Sequence, residues 1–108
     1  MARYRRDKPR TWDYEITLIK TIKTKDEDGF DVDKTVKRDV LANRLPVFSS
    51  EFYQSKKEGF TTDEVFEINE IEYEDEDKVL FEGKTFRVNR RFNDGDYVEL
   101  YCSDLGET

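Results

Sequence analysis

Residues 79–103 read VLFEGKTFRVNRRFNDGDYVELYCS and leave few ways to fold. Three short β-type runs are joined by two tight glycine turns, Glu82-Gly83 and Asn93-Asp94-Gly95. A three-residue loop with Gly95 at positive φ sets Val88 opposite Leu100 and Phe86 opposite Cys102, with Val98 on the same face. Arg87, Asn89, Arg91, Tyr97, Glu99 and Tyr101 then share the other face. A two-residue loop would set Val88 against Tyr101 and Arg90 against Glu99. A one-residue slip exchanges faces, so the register that buries an all-apolar set is the one expected.

The rest of the chain is read around this meander. Residues 1–11 are polar and basic and lack periodicity, as in a mobile arm carrying Arg3, Arg5, Arg6, Lys8 and Arg10. From Trp12, Tyr14, Ile16, Leu18 and Ile22 alternate as a first strand, with Ile19 facing the other way. Residues 24–33 form a charged, turn-rich connection to a second strand over 35–45, which Pro46 ends. Residues 64–73 are β-like on both faces, as in a central strand. The glycine-turn meander closes a domain over 12–103, and 104–108 reads as a frayed tail. About six closely spaced antiparallel strands suggest an all-β fold, a small, partly open β-barrel with one long loop bearing a short helix.

That loop is 46–61, PVFSSEFYQSKKEGFT. Ser49 or Ser50 suits a helix cap, Glu51 the first turn, Lys56 and Lys57 the last, and Gly59 the stop. Phe48, Phe52, Tyr53 and Phe60 lend it apolar weight. They serve either as a lid on the core or as a projecting contact element, the latter because long structured loops are often functional.

Composition narrows the function classes. Only 35% of the 108 residues are hydrophobic, but eight Phe, six Tyr and one Trp bury enough area per residue for one small core. The net charge is −7, which disfavours duplex nucleic acid as a simple partner. The charge is uneven, with nine acidic and no basic side chains in 63–77 after the basic start, a pattern that suits charge-complementary neighbours. With no histidine, triads and imidazole metal sites are excluded. Cys102 is the one cysteine and falls on the apolar face, a core hydrophobe rather than a nucleophile. Asp26, Asp28, Asp31 and Asp33 lack the glycine and closing glutamate positions of a calcium loop. No phosphate-cradling glycine motif occurs. The expectation is a non-enzyme without cofactor or metal. No apolar run approaches a membrane span, so a soluble, cytoplasmically made protein is expected. Arg87, Arg90 and Arg91 interleaved with Phe92, Tyr97 and Tyr101 resemble a base-stacking face. Cross-strand packing of Arg91 on Tyr97 and Arg87 on Tyr101 accounts for them better.

The order of these features resembles a family. A Trp12-Asp13 opening precedes the first strand, then come a glycine loop, a second strand, and a helix-bearing loop starting SSEF. DKVLFEGKTFRV and a final YVELYC complete it. The chain is similar over about 12–103 to the head-closure (stopper, or head–tail joining) proteins of long-tailed bacteriophages. The resemblance implies a structural virion protein of the neck, from a phage or prophage, that assembles as a ring between a portal-bound adaptor and a tail protein. It would close the channel on packaged DNA, with only non-specific proximity to that DNA. On this reading 46–61 is the stopper loop and the basic arm a partner contact. The alternatives are a single-stranded nucleic-acid-binding, OB-like barrel, or a tail-completion or terminator protein of the same virion.

Overall fold

The computed structural model describes residues 11–47, 57 and 59–107. Six strands are present: β1 (Tyr14–Lys25), β2 (Asp31–Leu45), β3 (Glu64–Asn69), β4 (Lys78–Phe81), β5 (Lys84–Asp94) and β6 (Tyr97–Glu107). A single 3₁₀ turn, Glu70–Glu72, follows β3. The strands close into an antiparallel barrel in the order β1-β2-β3-β6-β5-β4. The barrel is therefore closed rather than partly open, because β4 returns to pair with β1 through Thr17, Leu18 and Ile19. Closure removes the edges that an open sheet would leave unpaired.

Alternation builds the core. Ile16, Leu18, Val40, Ala42, Phe66, Ile68, Val79, Phe81, Phe86, Val98, Leu100 and Cys102 all point inward and are buried together. Phe66 stands at the centre, edge-on to Phe81 at 5.1 Å and Phe86 at 6.1 Å between ring centroids. Edge-to-face packing adds to the area each ring removes from water.

The closing meander has the expected inward set but another register. Val88 lies opposite Cys102, not Leu100, and Phe86 opposite Asp104. The hairpin loop is two residues, Gly95 and Asp96, since Asp94 pairs with Tyr97. Gly95 takes the first central position at φ 68°, where a glycine meets no penalty. The shift of parity is absorbed by an irregularity between Val88 and Arg90, at Asn89. Without it, Arg90 and Phe92 would share the face of Phe86 and Val88. With it, both turn to the outer surface, and Arg91, opposite Leu100, takes the inward register at the barrel end, where it meets Tyr73. The aromatic–arginine pairs change accordingly: Arg90 lies over the Tyr101 ring at 4.7 Å, and Arg91 over Tyr73 at 5.7 Å. The expected Arg91–Tyr97 and Arg87–Tyr101 pairs follow from the other register and give way with it.

Three boundaries differ from the sequence reading. β3 stops at Asn69, and Ile71 swings out to 88% exposure. β6 continues to Glu107, opposite Lys84, through the stretch for which the composition suggests fraying. Most notably, β1 and β2 stay paired as far as Lys25↔Asp31, so the connection expected over 24–33 shrinks to 26–30. The turn itself is held by Asp26, whose Oδ1 accepts from the backbone N–H of Asp28 (2.9 Å) and of Phe30 (2.8 Å). This is local side-chain capping.

Candidate functional site

Much of what the sequence singles out lies outside the described residues. This holds for the basic positions Arg3, Arg5, Arg6, Lys8 and Arg10, and for Phe48, Ser50, Glu51, Phe52, Tyr53 and Lys56 of the 46–61 segment. Of that segment, Val47 packs on the outer barrel surface, Lys57 is exposed, and Phe60 is half-buried.

Register shows where this segment leaves and rejoins the barrel. Two rows of side chains run across four strands on the outer face. One is Asn43, Glu67, Glu99 and Phe92; the other is Leu45, Val65, Tyr101 and Arg90. Leu45, Val65 and Tyr101 form a second buried apolar cluster there, with Val47 and Phe92 against it. Glu67 and Glu99 are directly opposite each other and only 2% and 6% exposed. Buried carboxylates require polar partners. Asn43 Nδ2 donates to Glu67 at 3.2 Å, and the Tyr101 hydroxyl donates to Glu99 at 2.7 Å. The Trp12 backbone N–H donates to Asn43 Oδ1 at 2.8 Å, and its ring sits 6.0 Å from Tyr97. The chain therefore enters the fold on this same face. Tyr101 is buried on this face, so its ring is not open for a base to stack on.

The acidic run 63–77 is partly paired within the chain. Arg44 meets Glu64 through two bonds, with Nε donating to Oε1 at 2.7 Å. That pairing and the Glu64 charge hold the guanidinium above its ordinary pKa. Arg38 closes one barrel end. It donates to the backbone carbonyl of Glu72 and to the buried Glu76 at 3.0 Å, and lies 3.2 Å from Glu74. Arg91 donates to the Tyr73 hydroxyl at 3.1 Å and lies 3.7 Å from Asp75. Burial raises the Tyr73 pKa, against the opposing pull of Arg91. Three arginines distant in sequence thus meet four of the nine acidic side chains of this run.

The largest feature missed in the sequence is the β1–β2 hairpin. Beyond Lys20↔Val36 its residues are all exposed, and the molecule extends 54 × 30 × 27 Å. The hairpin is amphipathic. Lys23–Asp33 (3.4 Å) and Lys25–Asp31 (2.8 Å) ion pairs lie on one face. Ile22, Val32 and Val36 lie on the face that continues the barrel interior, and are 39–41% exposed. The signal was present in the alternation of Val32, Lys34 and Val36, but acidic turn residues masked it. Among the described residues no group of three or more acidic or cysteine side chains is placed to hold a metal ion, and no helix is long and apolar enough to cross a membrane.

No protein-family model matches the chain, and no curated protein does.

Proposed function

We propose that this chain is a structural protein of a phage virion neck that joins head to tail and closes the portal channel after DNA packaging. The reading is supported by the resemblance of 12–103 to head-closure proteins. It is also supported by one structural observation: a small closed barrel carries a hairpin that projects beyond its core, and a long connection, 46–63, joins its β2 and β3. Excursions mounted on a rigid barrel are suited to contact rather than to chemistry. An acidic chain lining a channel repels DNA phosphates and lets the duplex slide. On this reading the protein forms a ring on a portal-bound adaptor, meets a tail protein on the other side, and is located in the virion after synthesis in the host cytoplasm.

Replacing residues 50–58 by a short Gly-Ser linker tests the closing role. The expected variant folds and docks, and packaged particles leak DNA. A variant that folds and docks while particles retain DNA normally removes the plug from this loop. A variant that unfolds makes the loop a core lid. The competing single-strand-binding reading requires salt-sensitive affinity for oligonucleotides, which a chain of net charge −7 is expected to lack at physiological salt.

A further inference from the structure

Two surfaces of this chain complement each other but do not meet within one molecule. The first is the apolar hairpin face. Lys20 pairs with Val36, Ile22 with Lys34, and Thr24 with Val32, so these six side chains share one face. It carries three β-branched hydrophobes and two lysines and no acidic group. Lys20 is engaged, donating to the Glu74 carbonyl at 2.9 Å, while Lys34 makes no ion pair among the described residues. The second surface is the Glu70–Glu72 turn. Ile71 stands there 88% exposed, between two glutamates whose side chains make no ion pair among the described residues. The turn leads into the loop that binds the hairpin base at Lys20 and Arg38. At that exposure Ile71 is not covered by its own hairpin.

We propose that the apolar hairpin face of one copy docks on the Glu70–Glu72 turn of a second copy, with Ile71 seated against Ile22, Val32 and Val36 and Lys34 facing Glu70 and Glu72. An isolated Ile on an acidic rim and a β-branched face edged by lysine match in both apolarity and charge. Used once per pair of copies, the contact is head-to-tail: it leaves one hairpin face and one turn free, repeats from copy to copy, and produces a ring where the rotation closes. Its footprint falls well below the roughly 1,200 Å² of stable complexes, so single contacts are weak and gain from repetition or a template. This inference supplies the contact for the ring in the neck reading. It is tested on the purified chain alone, so its failure leaves the channel-closing test standing.

The probe is a nitroxide attached to Asp28→Cys at the exposed hairpin tip. The labelled chain is mixed at submillimolar concentration with isotope-labelled chain lacking the nitroxide. The expected result is relaxation broadening centred on the amides of Glu70, Ile71 and Glu72. Lys34→Glu on the nitroxide chain should weaken it roughly ten-fold, and Glu70→Lys with Glu72→Lys on the observed chain should restore it. Disulfide trapping gives a second readout: Val32→Cys mixed with Ile71→Cys should cross-link faster than either variant with itself. All these positions are exposed, and matching thermal melts establish that the variants fold. Broadening centred elsewhere, uniform or absent broadening, or indifference to Lys34→Glu would overturn the proposal.

Discussion

Phe66 and Cys102 show how a chain with so few hydrophobic residues holds a core. Phe66 is fully buried and contacts two other rings, so Phe66→Ala should cost about 3–5 kcal/mol, read from chemical denaturation. Cys102 is fully buried between the strands, and burial pushes its thiol well above the ordinary range. The sign of the resulting pH dependence follows. The unfolded thiol loses its proton above about pH 9, while the folded one keeps it. The associated stability is complete below that pH and falls by about 1.4 kcal/mol per pH unit above it. Tyr73, also raised, adds to the loss from about pH 10. Urea midpoints across alkaline pH should therefore decline, and less steeply in Cys102→Ala.

At the scale of elements, the outer hairpin and the β5 bulge are both additions to a regular barrel. The outer hairpin is exposed and touches little of the barrel, so replacing residues 22–34 with Asn-Gly should leave the melting temperature nearly unchanged. A large drop would mean that the projecting strands brace the barrel. Asn89 is the extra residue of the bulge, so deleting it makes Val88, opposite Cys102, and Arg90, opposite Tyr101, consecutive residues of a regular ladder and leaves every side chain on its face. The deletion variant should therefore fold cooperatively with a native-like near-ultraviolet circular dichroism spectrum. Loss of that spectrum would show that the local bend at the bulge is needed to close the barrel.

For the whole molecule, net charge and patch size set the association state. A chain of charge −7 repels itself, and the apolar hairpin face is small. The purified protein should sediment mainly as a monomer at low micromolar concentration and physiological salt. A stable ring under those conditions would contradict both this expectation and the weak head-to-tail contact from which it follows.

The sequence by itself determined the all-β class, the number of strands, the inward-facing members of the closing meander and the Glu82-Gly83 turn, where both residues take positive φ. These depend on period-two alternation and on local turn chemistry, which neighbouring residues carry. Barrel closure, the Val88↔Cys102 register and the pairing of Glu64, Glu74, Asp75 and Glu76 with Arg38, Arg44 and Arg91 were decided only by tertiary structure. Each depends on groups distant in the chain. The register turned on the bulge at Asn89, which lays Phe92 on the outer Leu45–Val65–Tyr101 cluster and brings Arg91 to Tyr73, partners that exist only once distant strands are in place. The same holds for the hairpin: Ile22 and Val36 read as core strand positions and Val32 as part of a connection, until the barrel ends beneath them and leaves all three in water.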